Sequence, residues 1–199
     1  MANSQIEDRY FEVLFNYVRL LVDIPEIDQE ICCKYFKPIF VKKDTILELE
    51  GTIHKYHNFI VTGFMRNYYH DKEGQEITTD INDGPRFFTS YNHFMNRTIS
   101  NENLHCITDC ELLQINRDDI EITAKLGITQ MEYSLLILQQ QLEKNKQRVI
   151  DLATLSAEER YLKLLKNHPR ILQNIPLKYI ASYLGINPGS LSRIRKEIE

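Results

Sequence analysis

Residues 177–196, "LKYIASYLGINPGSLSRIRK", decide how this chain is read. Up to Leu184 the spacing places Ile180, Ala181 and Leu184 on the inward face of a short helix. Gly185 then ends that helix in the left-handed conformation that a side chain would resist. Ile186 plugs the turn, Asn187 caps the next helix, and Pro188 suits its first position, where no backbone donor is needed. Leu191 and Ile194 turn back onto Ala181 and Leu184, and Ala181 must be small because the second helix crosses close above it. These separate requirements agree on a helix-turn-helix.

The second helix of such a motif enters the major groove of DNA. Its outward residues here are Gly189, Ser190, Ser192, Arg193 and Lys196. Arg193 is the candidate base reader, since a guanidinium bridges guanine O6 and N7. Ser190 and Ser192 can bond phosphates or bases. Arg195, Lys196 and Lys178 are expected to hold phosphates, which position a domain without carrying sequence information. For Arg195 and Lys196 a solvated helix face accounts for the charge equally well.

The whole chain of 199 residues is acidic, with a net charge of −4. That total hides an asymmetry. Residues 151–199 hold eight Lys/Arg and five Asp/Glu, a charge of +3, which leaves −7 for residues 1–150. An acidic body with a basic tail suits a protein whose last part alone touches a polyanion. No apolar run approaches the roughly 20 residues of a membrane span, and the start "MANSQIEDRYFEV" lacks a signal-peptide profile. A cytoplasmic location with no membrane partner is expected. Cys32 and Cys33 are adjacent, while Cys106 and Cys110 stand alone. Without a C-x2-C repeat or a companion histidine they read as buried hydrophobes in a reducing compartment. No nucleophile elbow, P-loop, H-E-x-x-H or paired carboxylates stand in a plausible setting, so no enzyme, cofactor or metal is expected. His54, His57, His93 and His105 read as surface or core residues rather than ligands.

Upstream, residues 4–22 carry Ile6, Tyr10, Val13, Leu14, Tyr17 and Leu21 at helical spacing, with Ser4 and Glu7 placed for a capping box. A second short helix, "DQEICCKYF", follows Pro25. From Ile39 to Ile115 short runs of β-branched and aromatic residues alternate with turn signals at Glu50–Gly51, Thr62–Gly63, Lys72–Gly74 and Asp83–Pro85. This texture predicts an antiparallel sandwich or barrel, with a hairpin turning at Asp71–Gly74. "FFTSYNHFMNRTIS", residues 87–100, interrupts it as a short helix and loop, a natural place for a ligand on a β scaffold. After Asp118, Ile128, Met131, Leu135, Leu138, Leu142, Asn145, Val149 and Leu152 alternate three and four residues apart. That heptad seam predicts a long helix paired with a second copy, with Asn145 able to fix its register. The competing expectation is that the stripe packs on the chain's own β domain. Ser156 and Glu159 form a capping box that opens a new helix and marks a domain boundary.

In this order the parts resemble the CRP/FNR family of bacterial transcription regulators. The likeness is strongest over "EERYLKLLKNHPRILQNIPLKYIASYLGINPGSLSRIRK", which is similar to Bacteroidetes-type members, and extends to "HNFIVTGFMRNYYHDKEGQEIT" around Gly63. The resemblance implies an α+β chain in three parts. Residues 1–118 would form a cyclic-nucleotide-binding-like antiparallel β-roll (a jelly roll) with N-terminal helices. Residues 119–152 would form the dimerisation helix and 153–199 the helix-turn-helix domain. The partners it implies are double-stranded DNA with a near-palindromic operator, a second copy of the chain, an unknown small-molecule effector, and RNA polymerase. Cyclic-AMP-binding members carry a Gly-Glu pair and, some ten residues later, an Arg. Here Thr89 and Ser90 stand in place of the pair and Ser100 in place of the arginine, with Arg97 off register. A buried phosphate needs a fixed cation that Ser100 cannot supply, so cyclic AMP is not expected to bind. Thr89, Ser90, Arg97 and Ser100 are the candidate pocket residues. The sequence ends at Glu199, before the family's β-hairpin wing, which predicts fewer phosphate contacts. Two other readings remain open: a constitutive DNA binder whose β-roll is only a scaffold, and a sensor or dimeric scaffold acting through protein contacts.

Overall fold

A computed structural model describes residues 2–198, with side chains from residue 8 onward. Two helices, α1 (Ala2–Arg19) and α2 (Glu26–Tyr35), lead into eight strands. These are β1 (Lys37–Val41), β2 (Ile46–Glu48), β3 (Tyr56–Thr62), β4 (Phe64–His70), β5 (Glu76–Asp83), β6 (Arg86–Phe88), β7 (Asn103–Cys106) and β8 (Cys110–Asn116). A short α3 (Tyr91–Asn96) interrupts them. Six helices complete the chain: α4 (Arg117–Leu126), α5 (Gln130–Thr154), α6 (Ala157–Asn167), α7 (Ile171–Asn174), α8 (Leu177–Leu184) and α9 (Pro188–Ile198). The expected capping box of Ser4 and Glu7, and Ile6 with it, lie outside the described side chains.

The strands form two four-stranded antiparallel sheets, ordered β1-β8-β3-β6 and β2-β7-β4-β5. The first sheet is covered on both faces. Ile60, Leu112, Val41 and Phe88 meet Met65, Leu104 and Cys106 between the sheets. Phe59, Val61, Leu113 and Ile115 point the other way, onto Phe11, Leu14 and Val18 of α1. Period-2 alternation thus gives one strand two cores. The turn from β3 to β4 depends on Gly63, whose φ is +107°. A Cβ there would stand 2.6 Å from Cys110 Sγ and 2.7 Å from the Asp109 carbonyl oxygen. The hairpin of β4 and β5 turns at Asp71–Gly74 as its composition predicts, with Asp71 Oδ1 accepting from the amides of Glu73 and Gln75. Ser156 caps α6 with its full reciprocal box to Glu159.

One expected element is divided. The helix read over 119–152 is two helices, α4 and α5, separated at Gly127–Thr129. The cause is a residue a hundred positions away. The buried carboxylate of Asp28 accepts from the Ile128 amide (2.8 Å), the Thr129 amide (2.7 Å) and the Thr129 hydroxyl (2.6 Å). These groups would otherwise enter one continuous helix. Ile128 therefore sits in the turn before α5 and is not a helical position of the seam.

Burial pushes the Asp28 carboxyl up, but the hydrogen bonds from Thr129 and Ile128 outweigh it and hold the pKa below the usual carboxylate range. Its stabilisation is complete above the unfolded value of about 3.9 and is lost as pH falls through the depressed folded value. Asp28→Ala strands the buried donors at Ile128 and Thr129. It is expected to lower unfolding free energy by about 1–3 kcal/mol at neutral pH, read by urea titration. The gap to wild type should narrow below pH ~4.

Candidate nucleic-acid interface and sensory cavity

The C-terminal motif forms as its residues require. Gly185 adopts φ +69° and caps α8, and the Ile186 amide donates to the Ala181 carbonyl at 3.0 Å. Asn187 Oδ1 accepts from the Ser190 amide at 2.8 Å, and Pro188 opens α9. Ile180, Ala181 and Leu191 are fully buried where the two helices cross. On α9, Ser192, Arg193 and Lys196 are exposed, while Ser190 and Arg195 are half-buried. The Ser192 hydroxyl donates to the Pro188 carbonyl one turn back. Lys178 is elsewhere. It is exposed at the start of α8, its ammonium 4.9 Å from the centre of the Tyr179 ring, and its charge acts on Glu76 and His105 of the β-roll.

The motif is docked on the outer face of the second sheet. Alternation along β4 sends Met65 and Asn67 into the sandwich and Phe64, Arg66 and Tyr68 outward. Phe64 and Ile81 of the sheet, with Ile107 just past β7, join Tyr161, Leu164, Ile171, Ile175, Ile180, Ala181, Leu184 and Leu191 in one apolar cluster. Beside it the Arg66 guanidinium, 1% exposed, lies 3.5 Å from the Tyr179 ring centre and 4.0 Å from that of Tyr68. It donates to Glu76, Thr78 and His105 Nδ1. Arginine can only donate, so Nδ1 accepts and the His105 proton sits on Nε2. Burial first, and the Arg66 charge second, lower the His105 pKa and favour that neutral ring. Ser182 adds a backbone clasp, accepting from the Thr78 amide at 2.8 Å and donating to the Glu76 carbonyl. Behind α8, Arg148 of α5 donates to the Tyr183 carbonyl and Arg160 of α6 to that of Leu184. These cations satisfy the orphan carbonyls and the negative end of α8.

A cavity of about 530 Å³ opens between the second sheet, α3 and α5. Of the four expected pocket residues, Thr89 and Ser90 line it. Arg97 does not. It is the exposed left-handed C-cap of α3 and pairs outward with Asp118 and Glu121 on α4. Ser100 is buried, exchanging hydrogen bonds with the Glu102 backbone. Glu102 itself escaped sequence reasoning. Its carboxylate accepts from Ser90 (2.7 Å), Thr79 (2.7 Å) and Asn67 (3.1 Å) inside the cavity. Nothing local in "SNENL" marks it, because its donors come from three other elements. His57 packs among Phe87, Tyr91 and Phe94, and burial pushes its pKa down to about 4. His93 bonds Thr98 and Asn101.

The sequence matches no protein-family model and no curated protein sequence. Solved structures do match. FixK2 from Bradyrhizobium japonicum superposes with a TM-score of 0.71 at 17% identity, over 82% of this chain and 84% of that one. The c-di-GMP-responsive global regulator CLP of Xanthomonas campestris gives 0.66 at 15% identity, over 86% and 90%. A protein from Eubacterium rectale assigned to the CRP/FNR family of transcriptional regulators gives 0.65 at 18% identity, over 88% and 83%. This chain has the CRP/FNR fold. No helix among the described residues is long and apolar enough to cross a membrane.

Within that fold the bond network around Arg66 joins the β-roll and the helix-turn-helix. Arg66→Ala would leave His105 Nδ1 and Thr78 Oγ1 without their buried donor and empty the space between two rings. It is expected to destabilise the docked state by about 2 kcal/mol or more. Amide exchange should rise in α8 and at Thr78, while β3 and β8 keep their protection.

Proposed function

We propose that this chain is a homodimeric, sequence-specific DNA-binding transcription regulator. The observation that carries the reading is the exposed face of α9, where Ser192, Arg193 and Lys196 project from a helix fixed by Gly185 and Asn187. The CRP/FNR fold supports it. Arg193 reads a base edge, and Lys196 binds phosphate. Arg195, half-buried, is the weaker phosphate candidate, as are Ser190 and Lys178. Two recognition helices one helical turn apart then match a near-palindromic operator.

The seam on α5 supports the dimer. Met131, Leu135, Leu142 and Val149 are 57–72% exposed along one face, with Leu138 half-buried and Asn145 exposed between them. The opposite face packs on the β-roll through Tyr133, Ile137 and Lys144. So large an apolar stripe on one helix is a partner surface, and heptad spacing makes a second copy the fitting partner. Cyclic AMP is not the effector. What supports this is that Ser100 is buried where the resemblance places the phosphate-binding arginine, Arg97 points outward, and Arg86 on the cavity pairs with Asp80.

In gel shifts against the chain's own upstream region, Arg193→Ala should weaken specific binding by about 1–3 kcal/mol, or roughly five- to 150-fold. An equal loss on every DNA sequence would make Arg193 a phosphate contact only. The paired change Leu135→Glu with Leu142→Glu should give a folded monomer by light scattering, with its α6–α9 melting retained. A dimer that survives both charges would place the interface elsewhere.

A further inference from the structure

A second cleft, of about 520 Å³, lies where the β-roll, α5 and the C-terminal helices meet. It shares Arg86 and Arg148 with the cavity under α3, but its walls are the turn from β5 to β6, α5, α6 and the end of α8. Five cations line it: Arg86, Lys144, Arg148, Arg160 and Lys163. The carboxylates that face them are Asp83 and Asp151, with Asp80 within reach of Arg86 and Lys144. Each carboxylate is already taken. Asp80 serves Arg86 and Lys144, Asp151 holds Lys163 at 2.7 Å, and Asp83 bonds His168 at 3.0 Å.

Arg148 and Arg160 are left over. Neither forms an ion pair among the described residues, and their bonds go to neutral carbonyls. Arg148 Nη2 donates to Tyr183 at 3.0 Å, and Arg160 donates from Nε to Leu184 at 3.1 Å and from Nη1 to Leu155 at 2.6 Å. A guanidinium carries five N–H donors, so most of both sets stays available. Capping α8 does not neutralise the pair, because a helix C-terminus carries only about half a negative charge. Both side chains are half-buried, so water and salt screen them incompletely. Asn167, exposed at the last position of α6, brings an amide to the same rim. The cleft has the size of a small-molecule site.

We propose that this cleft binds the phosphate monoester group of a small molecule between Arg148 and Arg160. Two guanidiniums without a carboxylate match such a group, which carries about 1.5 to 2 negative charges at neutral pH. The planar fork of arginine also fits phosphate oxygens two at a time. A cyclic diester carries a single charge and meets only half of that demand, so the cleft differs in kind from a cyclic-nucleotide pocket. Arg160 ties the carbonyl of Leu155, where α5 ends, to that of Leu184, where α8 ends. An anion seated on it therefore bears on the hinge between α5 and α6. The inference does not depend on DNA binding by α9.

Calorimetry on the full chain, without DNA, tests this with AMP, glucose 6-phosphate and inorganic phosphate as probes. Adenosine is the uncharged control and cyclic AMP the diester control. At least one of the three phosphates should bind at millimolar or tighter affinity, and both controls should bind more weakly. Arg160→Met should weaken that phosphate by about tenfold or more, since charge-assisted bonds are roughly twice as strong as neutral ones. Asn167→Asp sets a carboxylate at the rim, leaves the carbonyl bonds of both arginines in place, and should weaken it too. Thermal melts establish that each variant is folded. Arg193→Ala combined with Lys196→Ala should leave the affinity unchanged, which separates this cleft from the exposed face of α9. The proposal is overturned if no phosphate binds, or if adenosine or cyclic AMP binds as tightly as the best of them. It is equally overturned by full affinity in folded Arg160→Met and Asn167→Asp alike, or by binding that disappears with the α9 changes.

Discussion

The architecture turns on a single buried guanidinium. Arg66 sits on the outer face of β4 because strand alternation places it between Phe64 and Tyr68. An arginine there would be expensive to bury alone. Each of its three nitrogens donates once, to Glu76 and Thr78 from β5 and to His105 from β7, and its planar faces are covered by Tyr68 and Tyr179. Four of these groups belong to β4 and the strands on either side of it, so the sheet presents Arg66 in a fixed orientation. Tyr179 is the only ring among them that belongs to the helix-turn-helix. Whatever moves α8 must uncover Arg66, and whatever distorts β4 or β5 must shift the surface on which α8 stands.

That coupling continues through α5. One side of the helix is committed inward, with Lys144 on Asp80 of β5 and Arg148 on the last turn of α8. The other side carries the exposed seam. A rigid helix of 25 residues joins these duties, so the register of the seam, the position of β5 and the end of α8 are mechanically linked. Asp28 sets where the helix begins, and Arg160 together with the pair of Lys163 and Asp151 sets the angle at which α6 leaves it. The two ends are thus held by side chains from outside the helix.

What the sequence made legible follows from how local each cause is. Gly185, Asn187 and Pro188 act on atoms one to three residues away, so the turn from α8 to α9 could be read directly, as could the capping box of Ser156 and Glu159. Strand texture and turn chemistry likewise marked the β-roll and its hairpin at Asp71–Gly74. The break between α4 and α5 was hidden because its cause, Asp28, lies on α2, and heptad spacing continues across Ile128 without interruption. Glu102 and Arg66 were hidden for the same reason. Each is an ordinary charged residue in a polar stretch, and its meaning comes from donors or rings delivered by other strands. Arg97 failed in the opposite direction, since a cation near the right position in sequence was turned outward by the left-handed end of α3.

Charge placement joins these observations within the β-roll. A phosphate-binding β-roll must leave one cation unneutralised inside its cavity, and that unpaired charge is what an anionic ligand completes. Here Arg86 and Lys144 share the single carboxylate of Asp80, and Glu102 is held by neutral donors only. Ser90 stabilises Glu102, and Ser100 fixes the backbone from which Glu102 projects. An arginine at position 100 would remove the Ser100 hydroxyl that accepts from the Glu102 amide and donates to its carbonyl, so the backbone bearing Glu102 would lose its fastening.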